Sequence, residues 1–281
     1  MKTIRVQDRD REIFRFIYEN LYVTIPQVHR AVFKDRDPIT ATVRLSQLHH
    51  GEYLKKLKYG VTLLKLTRRA LDEISDDTLA PIETTRYLKQ KVRTQQIGHD
   101  LGVIDSKITL KESPIISDWE PALNLSYYQY KEYYSDRLPK MPDSVFNIRM
   151  GDRILKTALE YEMTQKESGR YRMILEHYYT DKKVDLLFYI ARTAHLKKKL
   201  LEIGRNKLNE ISERQIAHQN ILYVTTLDEF REKGLEAKFQ GVMDGTFSIK
   251  ELEDRVKNLQ TPSPNFSQAM SQAGGSPKIG V

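Results

Sequence analysis

The chain has 281 residues and no cysteine, which excludes disulfides, thiolate metal sites and a cysteine nucleophile. Its 46 Lys and Arg residues outnumber 38 Asp and Glu residues and give a formal net charge of +8. Residues 1–74 hold 15 of the basic residues against 9 acidic ones, and a basic excess concentrated in one small unit indicates a polyanion partner such as nucleic acid.

Three helical patterns followed by two strand-like runs occupy the start of the chain. Apolar residues recur at spacings of three and four from Asp8, after Thr24 and after Asp37. Two β-type runs joined by a glycine-containing turn predict a hairpin over residues 53–66. Helix, helix, helix and hairpin is the order of a winged helix-turn-helix, which we expect over residues 1–75.

The third helix and the hairpin carry the predicted DNA-binding side chains. Val43 and Leu45 flank Arg44, so we expect Arg44 to point away from the core and to bind guanine or a phosphate. The alternative is a solvated arginine on a helix that covers another domain. We expect the hairpin lysines to contact phosphates rather than bases. The full predicted DNA-binding set is Thr40, Thr42, Arg44, Gln47, His49, Lys55, Lys56, Lys58 and Lys65.

Helical and strand-like patterns alternate after a linker predicted over residues 76–83. A basic helix from about residue 84 is followed by residues 101–110, whose alternation predicts a strand, and by a turn-rich stretch at 113–120. The remaining patterns are strands at 142–148, 156–162, 184–191 and 220–226, and helices at 167–179, 197–211 and 228–234. This order predicts an α/β domain over residues 84–260, with helices on both faces of a mixed sheet. Residues 261–281 predict a disordered tail.

Three carboxylates are predicted to converge where two neighbouring strands meet. Asp143 opens one strand, and Glu160 and Glu162 lie two apart on the next and so project to one face. Carboxylate oxygens in this arrangement can hold Mg²⁺, which activates water for phosphodiester hydrolysis. Lys166 could supply a catalytic positive charge. The alternative is that the acids form ion pairs with Lys166 or the arginines after it and bind no metal.

Two further features leave alternatives open. His99 either orients a metal-bound water or contacts a phosphate, or it simply bonds to a backbone group. The tyrosines between residues 127 and 134 either stack on bases of single-stranded nucleic acid or pack Tyr127, Tyr130 and Tyr134 into a core, and the spacing favours the core.

The order of these motifs resembles the replication-relaxation family of plasmids and integrated mobile elements. The matching segments are Asp10-Arg11-Glu12-Ile13, residues 42–48, Gly98-His99-Asp100-Leu101, Pro142-Asp143, residues 159–166 and Arg170-Tyr171. The resemblance covers roughly residues 8 to 230 and implies a winged helix joined to a restriction-endonuclease-like domain. In such nucleases a lysine stands two residues after the acid of the second strand. Glu162 occupies that position here, which favours a degenerate domain used for dimerisation or DNA contact.

The sequence therefore predicts a sequence-specific double-stranded DNA-binding protein without a cofactor, acting as a transcriptional regulator or as a replication or mobilisation accessory factor. A homodimer would suit a palindromic site. The rival prediction is a Mg²⁺-dependent DNA nuclease, with Asp143, Glu160 and Lys166 as catalytic residues and Glu162 as a further metal ligand. A third is a scaffold whose basic face meets an acidic protein. We expect a cytoplasmic protein outside the membrane, because no apolar run nears about 20 residues and the first six residues lack a signal-peptide core.

Overall fold

The computed structural model describes residues 4–75, 81–121, 141–180, 184–212, 221–243 and 245–260. The helices are α1 (Asp8–Asn20), α2 (Ile25–Val32), α3 (Pro38–His50), α4 (Arg68–Asp72), α5 (Pro81–Lys89), α6 (Ile97–Leu110), α7 (Ser168–Thr180), α8 (Ala194–Ser212), α9 (Leu227–Lys233) and α10 (Ile249–Gln260). The strands are β1 (Leu54–Tyr59), β2 (Val61–Leu66), β3 (Ile116–Pro121), β4 (Ser144–Met150), β5 (Arg153–Glu162), β6 (Leu186–Ala191), β7 (Leu222–Thr226), β8 (Phe239–Gly241) and β9 (Thr246–Phe247). The chain thus combines helices with a seven-stranded mixed sheet and a separate hairpin.

The first unit consists of α1, α2, α3 and the β1–β2 hairpin around one apolar core. Thr24 begins α2 with a capping box, because its hydroxyl accepts from the Gln27 backbone and the Gln27 side chain accepts from the Thr24 backbone. Asp37 caps α3 by accepting from the Ile39 backbone. Gly60 turns the hairpin at a φ of 71°, where a side chain would be strained. These elements confirm the predicted helices and the predicted hairpin.

The seven-stranded sheet has the order β3-β4-β5-β6-β7-β8-β9. β5, β6 and β7 are parallel and are joined through α7 and α8, while β3, β4 and β5 on one side and β7, β8 and β9 on the other are antiparallel. Separate apolar clusters lie on its two faces. The prediction of a mixed sheet flanked by helices is confirmed, and β6 lies at its centre.

Residues 101–110 belong to helix α6, so the predicted strand there is wrong. Ile97, Ile104 and Ile108 pack into the core of the first unit, whereas Val103 and Leu110 pack against the sheet. A helix that is buried on two sides has apolar residues at most positions, and its sequence then imitates the alternation of a strand. The prediction that His99 ends a helix is also wrong. His99 lies in the first turn of α6, the helix that replaces the predicted strand.

Other predictions meet the structure in part. The stretch predicted as turns at 113–120 contributes β3, an outer strand with an irregular register between Ser117 and Glu120. α5 begins at Pro81, inside the predicted linker. The tyrosine cluster, residues 76–80 of the linker and the tail at 261–281 lie outside the described residues. Within the described ranges no helix combines the length and the apolar character that a bilayer crossing requires.

Replacing Gly102 by alanine tests the contact that fixes α6 on the sheet. A Cβ at Gly102 would overlap the Tyr161 ring of β5, whereas a Cβ at Gly98, one turn earlier, meets nothing within 4 Å. We expect Gly102→Ala to lower the free energy of unfolding by about 1–3 kcal/mol, the usual cost of overpacking. Gly98→Ala is the matched control, and urea denaturation should show it unchanged or slightly stabilised. Equal effects of the two variants would contradict this packing.

Candidate functional site

Helix α3 presents one face to the core and the opposite face to solvent. Ala41, Leu45 and Leu48 are fully buried. Ile39 and Val43 lie on the other side, 70% and 50% exposed. The predicted residues Thr40, Thr42 and Gln47 are also exposed and flank that pair. The outward face of α3 is therefore mostly uncharged, with two apolar side chains along its middle.

Arg44 does not point freely to solvent, which corrects the prediction made from its neighbours. Its guanidinium forms an ion pair with Asp10 of α1, a carboxylate that is 1% exposed, and its Nε donates to Asp10 Oδ1 at 2.9 Å. Arg44 also donates to the Arg5 carbonyl and to Gln47 Oε1, each at 3.0 Å. The expectation failed because Val43, one of the two flanking residues taken as buried, is itself exposed. Arg44 joins α3 to α1.

The hairpin lysines divide into an exposed group and a buried residue. Lys55 and Lys58 are exposed, and Lys56 is half-buried. Lys65, predicted to contact DNA, is buried, and its Nζ donates to the Gln90 carbonyl at 2.5 Å. Burial, together with the charge of Lys55, lowers the pKa of Lys65. It lies under the segment after α5, so it is not part of the exposed surface.

His49, also predicted to bind DNA, has a local structural contact. Its Nδ1 lies 2.9 Å from the Leu54 carbonyl, and the side chain is half-buried. The contact links the end of α3 to the start of β1 and so fixes the angle between the helix and the hairpin.

The predicted acidic residues do meet at one end of the sheet. Ser144 pairs with Leu159, so Asp143 lies across from Glu160 at the end of the antiparallel pair. Glu160 and Glu162 are both buried. The Lys166 ammonium forms an ion pair with Glu162, as the alternative without a metal predicted. Burial raises the pKa of Tyr189, and the charges of the three carboxylates raise it further.

The contacts of these carboxylates do not fit a metal ion. Asp143 Oδ2 accepts from the Tyr161 backbone at 2.7 Å and lies 3.1 Å from His99 Nε2. Glu160 Oε1 accepts from the Tyr178 hydroxyl at 3.2 Å, and Glu162 is held by Lys166. In the part of the chain that the structure describes, no group of three or more His, Cys, Asp or Glu side chains is arranged to hold a metal.

His99 is the centre of a chain of polar contacts between the first unit and the sheet. The Tyr22 hydroxyl donates to Asp100 Oδ2 at 2.5 Å, His99 Nδ1 lies 3.2 Å from Asp100 Oδ1, and His99 Nε2 reaches Asp143. Burial lowers the pKa of His99, but the hydrogen bonds and charges of the two aspartates outweigh burial and raise it to about 9. A protonated His99 donates to both carboxylates.

Sequence reasoning missed the exposed pair on α3 and most of this polar chain. Ile39 and Val43 could have been found, because both lie opposite Ala41 and Leu45 on a helical projection. The pairing of Tyr22 with Asp100 joins residues 78 apart in sequence, and no local pattern indicates it.

Comparison of the chain with protein-family models, with curated proteins and with solved structures found no match. The resemblance to the replication-relaxation family therefore stays a prediction.

The raised pKa of His99 predicts a loss of stability at alkaline pH. Unfolded histidine titrates near pH 6.5, so the native state holds an extra proton between about pH 6.5 and 9. The stabilisation is fully present below about pH 6.5 and disappears as the pH rises through about 9. We expect the free energy of unfolding to fall by about 3 kcal/mol over this window.

His99→Gln should remove most of that pH dependence, as measured by urea denaturation at a series of pH values. His195→Gln, which changes an exposed histidine of α8, is the matched control and should keep the wild-type profile. A wild-type profile in His99→Gln would show that another group titrates.

Proposed function

We propose that this chain is a sequence-specific double-stranded DNA-binding protein, and that residues 4–75 form a winged helix whose α3 enters the major groove. The observation that carries the proposal is the solvent-exposed outer side of α3, a helix whose opposite side is buried and which also contacts β1. A major groove about 12 Å wide admits one helix of this kind. The order of three helices and a hairpin supports the same interpretation.

The hairpin supplies the complementary contacts to the DNA backbone. Lys55 and Lys58 are exposed on β1, the strand that contacts α3, and both could reach flanking phosphates. Phosphate contacts hold a protein in register on the duplex, while side chains at base edges choose the sequence. In this proposal Thr40, Thr42 and Gln47 meet the bases, and Arg44 holds α3 at its angle to α1.

The sheet domain acts as a support for the DNA-binding unit. Its acidic cluster is occupied by internal contacts, and Asp143 completes the polar chain that runs through His99 to Tyr22. This role agrees with a degenerate restriction-endonuclease-like domain. The proposal further includes a homodimer that binds a palindromic site. The protein would act on plasmid or mobile-element DNA as a transcriptional regulator or as an accessory factor of replication or mobilisation.

The double variant Lys55→Ala/Lys58→Ala should weaken binding of all duplexes to a similar degree. Each lost phosphate contact reduces the slope of log K against log salt by about 0.9, so we expect a decrease of about 2. Fluorescence anisotropy with one duplex at several salt concentrations measures the slope.

The matched control removes two lysines from the sheet domain. Lys233→Ala/Lys250→Ala changes the same charge on exposed side chains of α9 and α10. It should keep the wild-type slope. Equal slopes in the two double variants would contradict a hairpin contact with phosphates.

The rival nuclease function is tested with supercoiled plasmid in Mg²⁺ or Mn²⁺ and in EDTA. We expect a shifted, intact plasmid in all three conditions, because the carboxylates are engaged by Tyr161, His99, Tyr178 and Lys166. Metal-dependent nicking that disappears in Asp143→Asn would overturn this expectation and favour the nuclease.

A further inference from the structure

The exposed side chains of α3 form a ridge that is apolar at its centre. Ile39 and Val43 are one helical turn apart, so they lie side by side on the face directly opposite the buried residues. Of the eight large apolar side chains that are most exposed among the described residues, four belong to the first unit: Ile39, Val43, Tyr59 and Val61. They lie on α3 and at the tip of the hairpin, the two elements that would face DNA.

The one charged side chain in the first two turns of α3, Arg44, is kept away from this ridge. Arg44 is held by Asp10, and His49 bonds to the carbonyl of Leu54. The first two turns of α3 therefore offer methyl groups and hydroxyls but no free cation, and Gln47 adds one amide in the third turn. Such a surface contributes little to phosphate binding, which needs positive charge. It is suited to the base edges.

We propose that Ile39 and Val43 contact the C5-methyl groups of thymine, so that this chain selects sites with thymine opposite the first two turns of α3. The thymine methyl is the apolar group that base pairs present in the major groove. The inference rests on the proposed DNA-binding function and names the base that the site prefers.

The neighbours of the ridge agree with an A·T pair. Gln47 lies four residues after Val43 and is exposed, and a glutamine amide is a good partner for adenine, the base that pairs with thymine. Its Oε1 accepts from Arg44 at 3.0 Å, which orients the amide. Lys55 and Lys58 on the adjoining strand add the positive charge that a duplex requires.

Replacing thymine by uracil tests the proposal, because uracil lacks only the methyl group. A duplex is first selected by the full-length protein from a random library. The selected duplex is then synthesised in its thymine form and with deoxyuridine in place of thymidine. The replacement is made at every thymidine together and, in separate duplexes, at one position at a time. Burial of one methyl group corresponds to about a three- to fivefold change in affinity, so loss of two should weaken wild-type binding about tenfold or more.

The variant Ile39→Ala/Val43→Ala should bind the two duplexes equally, with a weaker affinity for the thymine form than wild type. Both changes favour the helix, and circular dichroism checks that the fold is kept. Ile154→Ala is the matched control, because Ile154 is 58% exposed on β5, and it should keep the full difference between thymine and uracil.

The outcomes separate the inference from the function on which it rests. A library from which no duplex is enriched would overturn the DNA-binding function and the inference with it. An enriched duplex that binds equally well with uracil would overturn the inference alone. If uracil has no effect and Ile39→Ala/Val43→Ala converts a dimer to a monomer in sedimentation, the ridge is a contact between copies of the chain.

Discussion

The two-sided burial of α6 is the constraint on which the arrangement of this chain depends. One side of the helix contributes isoleucines to the core of the first unit, and the other packs against β5 at Gly102. Gln27 of α2 donates to the Leu101 carbonyl and to Asp105, both at 2.9 Å, and Lys107 donates to Glu19 of α1 at 2.5 Å. α6 thus hydrogen-bonds to polar groups on α1 and α2 and also packs against one face of the sheet. The two units therefore share this helix.

This arrangement leaves α3 available. Within the first unit, the polar contacts of α6 go to α1, to α2 and to the loop that carries Tyr22, while the outward face of α3 stays exposed. The position of α3 is fixed by the ion pair of Arg44 with Asp10 of α1 and, at its end, by the contact of His49 with the Leu54 carbonyl. A recognition helix needs this combination, since side chains read bases only when the helix that carries them has a fixed position on the duplex.

Much of the fold could be predicted because its signals are local. The cap at Thr24, the proline after Asp37 and the glycine of the hairpin turn each fix a boundary through backbone geometry. The strands β4 and β5 follow from alternation around a Gly-Asp turn. α6 could not be predicted in this way, because burial on both sides removes the polar stripe by which an amphipathic helix is recognised. β3, at the edge of the sheet and irregular in register, carries little alternation.

The candidate site was predicted less well than the fold, and charge is the reason. Arg44, Lys65 and Asp143 were predicted as site residues because charged groups can bind DNA or a metal ion. In the structure each of them contacts another group of the same chain. A buried charge that loses its partner costs about 3–5 kcal/mol, so such residues are kept for the fold whether or not they act on a ligand. Exposed uncharged groups carry no such cost. No described contact shows Ile39 or Val43 stabilising the fold. Their apolar surface contributes favourable free energy only when a complementary surface covers it. The exposed apolar pair is therefore a stronger indication of binding than the paired arginine beside it.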